Sequence, residues 1–133
     1  MIALVRAFGL HRPDTTPCGE PVSVAEAHAL MELSRTEGLS QNDLAARLHL
    51  VKSTVSRLVG LLEGRGWVER RRDPRDGRAV QLALTEQGQQ AAAQLATARQ
   101  VKFARLLERI PEQERDAVVH ALQTLVEALH EPA

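Results

Sequence analysis

Apolar residues recur at helical spacing along most of this chain, and they alternate with polar ones only in the stretch between residues 67 and 84. The clearest helical run is Val55, Leu58, Val59 and Leu62, at i, i+3, i+4 and i+7, which predicts a helix from Lys52 to Leu62 with one buried stripe. Two capping signals precede it. Ser23-Val24-Ala25-Glu26 has the form of a capping box and opens a helix whose expected inner stripe is Ala27, Leu30, Met31 and Ser34, with Gly38 as its stop. Ser40-Gln41-Asn42-Asp43 opens a second, Gln41 to Leu48, with Leu44, Ala45 and Leu48 inward. A helix that short is unstable by itself and requires neighbours to pack on. His49-Leu50-Val51 then forms a tight turn into the next helix.

The alternating stretch predicts two strands, Trp67 to Arg72 and Ala79 to Leu84, with Val80, Leu82 and Leu84 on the inner face. Between them Asp73-Pro74-Arg75-Asp76-Gly77-Arg78 combines turn formers with two arginines, as a hairpin tip does. Beyond the hairpin Thr85 is positioned as an N-cap, and Ala92, Ala96, Phe103, Leu106 and Ile110 mark one face of a long helix, interrupted by Arg99. Pro111, Glu112 and Glu114 signal a new helix start, followed by a wide stripe of Val118, Leu122, Leu125 and Leu129 flanked by Val119 and Val126. At the other end, Pro13, Pro17, Gly19 and Pro21 make residues 12–22 a turn-rich connector. The predicted fold class is mainly α (α+β): a helix-turn-helix followed by a two-stranded wing, with a helical region after it.

Composition alone is uninformative about partners. The 133 residues carry 17 basic and 17 acidic side chains, with 44% hydrophobic and 26% charged residues, the profile of a globular protein. No apolar run reaches the length of a membrane span, and Met1 to Leu10 lacks a basic leader and a cleavage site, so a cytoplasmic location is expected. Mapping the charges changes the picture. From Arg47 to Arg78 nine basic residues face four acidic ones, a local excess of +5 balanced by the rest of the chain. Such separation is the electrostatic footprint of a phosphate-facing surface.

The outward face of the Lys52 helix fits that footprint. Lys52, Ser53, Thr54, Ser56 and Arg57 are small and hydroxylated near the helix start and then cationic. Small hydroxyl side chains allow close approach to phosphates and base edges, and an Arg can hold guanine with two hydrogen bonds. Ser40 and Gln41 on the preceding helix, and Arg70, Arg72, Arg75, Asp76 and Arg78 on the hairpin, complete the candidate DNA surface. A narrow minor groove attracts an inserted Arg, and Asp76 is placed to orient Arg78 by a salt bridge.

Residues 23–88 resemble the winged helix-turn-helix domain of the MarR (multiple antibiotic resistance regulator) family. The resemblance is carried by Leu44-Ala45-Ala46-Arg47-Leu48, Ser53-Thr54-Val55-Ser56-Arg57-Leu58, Leu61 through Arg70, Asp76-Gly77-Arg78 and Leu84-Thr85-Glu86-Gln87-Gly88. It implies a homodimeric transcriptional regulator, a repressor released by a small ligand or another signal. Its recognition helices would enter successive major grooves of a pseudo-palindromic operator in double-stranded DNA, and Arg78 would reach the minor groove. The expected organisation is an N-terminal segment 1–22 that joins the dimer interface through Val5, Phe8 and Leu10, a DNA-binding domain 23–88, and dimerisation helices 89–133.

Other chemistries leave weaker traces. Cys18 is the single cysteine, so a disulfide within the chain is excluded; it is a candidate redox sensor, although Thr16-Pro17-Cys18-Gly19 also reads as a plain turn. Cys18, Glu26 and His28 could approach one another, with His120 or His130 adding a ligand, but the spacing matches no established metal motif, and no metal or cofactor is predicted. No nucleophile elbow, phosphate-binding glycine loop or zinc-protease motif occurs, so an enzyme is not expected. A winged helix used only for protein contacts stays open as an alternative to DNA binding.

Overall fold

In a computed structural model describing residues 1–77 and 79–130, the chain forms α1 (Ile2–Phe8), α2 (Val24–Arg35), α3 (Gln41–Leu48), α4 (Lys52–Gly64), β1 (Val68–Arg72), β2 (Val80–Leu84), α5 (Glu86–Glu108) and α6 (Glu112–His130). Two compact units make up the chain, one reaching to Ala98 and the other starting at Arg99. Helix α5 supplies residues to both.

Local chemistry sets the helix starts in the first unit. The Ser23 hydroxyl accepts the Glu26 N–H at 3.0 Å, and the Glu26 carboxylate accepts the Ser23 N–H at 3.1 Å. Ser40 and Asp43 repeat this reciprocal pair at 3.0 and 2.9 Å. Each box satisfies two of the backbone donors that a helix start leaves without partners. Helix α3 ends where His49 turns left-handed, at φ 54° and ψ 40°, and the N–H groups of His49 and Leu50 return to the Ala46 and Ala45 carbonyls. This closure compresses the connection to α4 into three residues.

The core lies among α2, α3, α4 and the sheet. Leu30, Leu44, Val55, Val59 and Leu62 are fully buried, with Ala29, Leu33, Leu39, Ala45, Leu58, Val68, Leu82 and Ala92 around them. All four apolar positions predicted for α4 are buried. Helix α2 differs from its predicted stripe: Glu26, Ala29, Leu30 and Leu33 are the buried residues, whereas Ala27 and Met31 are half-buried and Ser34 is exposed. The buried face follows Ala29, Leu30 and Leu33 at helical spacing, and Glu26 falls on that same face, where it meets an ion-pair partner. The helix also ends earlier than Gly38, with Thr36 as C-cap, and Gly38 occupies the following turn at φ 79°.

Strands β1 and β2 are antiparallel, with Val68 opposite Leu84, Arg70 opposite Leu82 and Arg72 opposite Val80. The middle of β2 is tied to the preceding loop by the Leu82 N–H, which donates to the Leu39 carbonyl at 2.7 Å, and the inner end is closed by the Thr85 N–H donating to the Trp67 carbonyl at 3.0 Å. Val80, expected inward, is 44% exposed because it lies at the outer end of the hairpin, beyond the core.

Taken by itself, the second unit pairs the end of α5 with α6, and α6 buries no residue. Phe103, Leu106, Leu107, Ile110, Val118 and Leu122 line an apolar groove of about 450 Å³ there. No helix among the described residues is long and apolar enough to cross a membrane.

Candidate nucleic-acid interface

Helix α4 carries the predicted reading face. Val55, Leu58, Val59 and Leu62 anchor one side, which leaves Lys52, Ser53, Ser56 and Arg57 exposed and Thr54 half-buried. Its N-cap is Val51, in extended backbone at φ −71° and ψ 153°, with no side-chain capping bond and no acidic residue in the first turn. Val51, the last residue of the His49-Leu50-Val51 turn, is not among the predicted contact residues. The available signal was an apolar β-branched residue where Ser, Thr, Asp or Asn is preferred.

On the preceding helix, Ser40 is engaged as the α3 cap and Gln41 is half-buried. The Gln41 Oε1 atom is buried with no hydrogen-bond partner among the described residues. Arg72, Arg75 and Asp76 are exposed on the hairpin, whose turn is pinned by the Asp73 carboxylate accepting the Arg75 N–H at 2.8 Å and by Asp73 N–H donating to the Ala79 carbonyl at 3.0 Å. Arg78 lies outside the described residues.

The fold sorts the basic residues into two groups. Arg47 pairs with Glu32 at 3.3 Å, Arg65 with Glu26 at 2.7 Å, Arg70 with Glu63 at 3.0 Å, and Arg71 with Glu69. Lys52, Arg57, Arg72 and Arg75 have no ion-pair partner among the described residues. Within the segment from Arg47 to Arg75, the four unpaired cations lie on α4 and the hairpin, the two elements that the helix-turn-helix and wing geometry presents outward. Arg70, expected as a wing contact, is paired with Glu63 and ties β1 to α4.

The remaining candidates are separated by the fold. The Cys18 sulfur lies 2.9 Å from the Thr16 hydroxyl in a loop, and that threonine is buried. Glu26 is buried and committed to Ser23 and Arg65, while His28 is exposed, and no group of three His, Cys, Asp or Glu gathers among the described residues.

A joint that periodicity could not reveal connects α4 to the wing. Arg65 closes α4, and its guanidinium lies over the Trp67 ring at 4.9 Å while its Nε faces the Glu26 carboxylate. The contact with Glu26 is primarily electrostatic, since the better-aligned Nη2 reaches Oε1 at 3.5 Å. Thr85 donates from its hydroxyl to the Gly66 carbonyl at 2.6 Å and accepts the Gly88 N–H at 3.0 Å, linking the start of α5 to the same joint.

Comparison with known proteins agrees with this architecture. Residues 21–79 match the sequence model of the MarR family. The chain is 27% identical over 101 residues to YdgJ, an HTH-type transcriptional regulator of Bacillus subtilis, covering 76% of this chain and 62% of that protein's length. It is 28% identical over 111 residues to Mb0904, an HTH-type transcriptional regulator of Mycobacterium bovis, covering 84% and 78%. Among solved structures, the Staphylococcus aureus MepR–DNA complex superposes with a TM-score of 0.68 at 25% identity, over 80% of each chain. The relatives are named as regulators, which sets aside the enzyme alternative. The helix-turn-helix, the two-stranded wing and these matches together mark residues 21–79 as a MarR-family winged helix-turn-helix region.

Proposed function

We propose that this protein is a sequence-specific DNA-binding transcriptional repressor that acts as a homodimer and is released by a small ligand or another signal. The observation that carries the DNA-binding reading is the sorting of charge: Lys52, Arg57, Arg72 and Arg75 stand uncompensated on α4 and the hairpin, while the other described basic residues of the segment are paired. Uncompensated cations on a major-groove helix and a wing suit phosphate and guanine, not an acidic protein surface of no fixed spacing. In this reading Ser53, Thr54, Ser56 and Arg57 contact base edges, Lys52, Ser40 and Gln41 approach phosphates, and Arg72, Arg75 and Arg78 serve the wing. A solved relative, MepR, is described in complex with DNA.

Dimerisation is supported by the apolar surface of the second unit. Leu122, Leu125, Val126 and Leu129 are between 42% and 75% exposed on α6, and Ile2, Leu4 and Leu10 are exposed at the other end of the chain. An exposed apolar stripe such as the one on α6 is rare on a monomer and suits an isologous pairing of two copies.

The decisive experiment is selection of bound duplexes from a genomic library, followed by footprinting and titration at several salt concentrations. Half-sites about 34–36 Å apart are expected, with log affinity falling against log salt at about −0.9 per phosphate contacted. Binding that is independent of sequence and of salt would overturn the proposal. Light scattering of Leu122→Glu with Val126→Asp separates the dimer question, because a folded monomer is the expected product.

A further inference from the structure

We infer that Val51 is a specificity-determining residue that reads the 5-methyl group of a thymine in each half-site. The inference rests on the DNA-binding reading above and extends it to a side chain outside the predicted contact set. Val51 is 68% exposed, so its two methyl groups contribute almost nothing to the core formed by Val55, Leu58 and Leu62. It also forgoes a capping bond, because a valine has no oxygen to accept an N–H from the first turn of α4. The residue therefore serves neither the packing nor the cap at its position.

Its neighbours indicate what its methyls meet. Val51 directly precedes exposed Lys52 and Ser53, at the end of the helix whose first residues approach base edges in a helix-turn-helix complex. The major groove exposes a single apolar group, the thymine C5-methyl, and apolar side chains read it by contact. Burial of Val51 against that methyl removes apolar surface of both partners from water, which an adenine, guanine or cytosine edge at the same place does not match.

Deoxyuridine substitution isolates that methyl, since it removes the group and leaves every hydrogen-bonding atom unchanged. Fluorescence anisotropy at fixed salt would compare the selected operator with versions carrying one thymine-to-deoxyuridine change per strand position. The wild type is expected to lose about fourfold in affinity per half-site at one position, the equivalent of one buried methyl. Val51→Ser should lose a similar factor on the normal operator and be indifferent to deoxyuridine there. Because serine supplies the missing cap, this variant should melt no lower than wild type, so its lost affinity cannot be ascribed to unfolding. Wild-type affinity unaffected by deoxyuridine at every position, or a Val51→Ser variant that keeps the wild-type sensitivity, overturns the inference. Failure of the wild type to select any duplex would instead overturn the DNA-binding reading on which it depends.

Discussion

Glu26 and Arg65, 39 positions apart in sequence, meet at 2.7 Å and join the first turn of α2 to the end of α4. The Glu26 side chain is 8% exposed and that of Arg65 is 41% exposed, so the carboxylate depends on its partner more than the guanidinium does. Arg65→Ala leaves a buried carboxylate held only by the Ser23 N–H. A loss of about 1–2 kcal/mol is expected, toward the lower end for buried pairs because water screens the arginine. Urea unfolding should show a lower midpoint with an unchanged slope.

Gly88 is the most tightly confined glycine among those described. A Cβ at this position would fall inside the van der Waals shell of the Trp67 carbonyl oxygen and 2.9 Å from its carbon. Both are backbone atoms held by the Thr85 hydrogen bonds, so neither can move aside cheaply. Gly88→Ala is expected to cost about 3 kcal/mol or to prevent folding, whereas Gly60→Ala, with open space around it, should be neutral or slightly stabilising in a thermal melt.

The sorting of arginines predicts unequal effects on DNA binding. Arg57→Ala should weaken specific binding by about 1–3 kcal/mol and relax preference at one base position. Arg72→Ala and Arg75→Ala should reduce affinity more uniformly and flatten the salt dependence by about one contact each. Arg71→Ala, which removes a side chain already paired with Glu69, should change affinity least. Equal losses for all four would show that pairing within the wing does not determine which cations meet DNA.

The α3 cap carries a pH signature. Hydrogen bonds from Ser40 hold the Asp43 carboxyl below its ordinary value of 3.8, with Arg47 adding a smaller attraction. A carboxyl that binds its proton less readily when folded stabilises the protein above the unfolded value, and that contribution is lost as pH falls through the folded one. Asp43→Asn should therefore reduce stability at neutral pH and converge with wild type below pH 3.8. Melts from pH 7 downward check this; a constant gap between the two proteins would contradict it.

Much of the fold was legible because its signals are local. The capping box at Ser23, the N-cap at Ser40, the four-residue stripe of α4 and the Thr85 cap each depend on residues within one or two helical turns, and each appears in the structure as read. The alternation on both sides of the Asp73 to Arg78 turn likewise announced a hairpin, and the excess of basic residues between Arg47 and Arg78 was a matter of counting.

Tertiary structure decided what depends on partners distant in sequence. Glu26, on the buried face of α2, is matched by an arginine 39 residues away. Arg70 and Arg72 are alike in sequence, yet proximity to Glu63 engages the first and leaves the second available. Val51 read as a turn residue until its exposure set it beside Lys52 and Ser53. Periodicity records which residues must avoid water, because burial repeats with the backbone. It cannot record which charge neutralises which, because that is determined by where the chain returns in space.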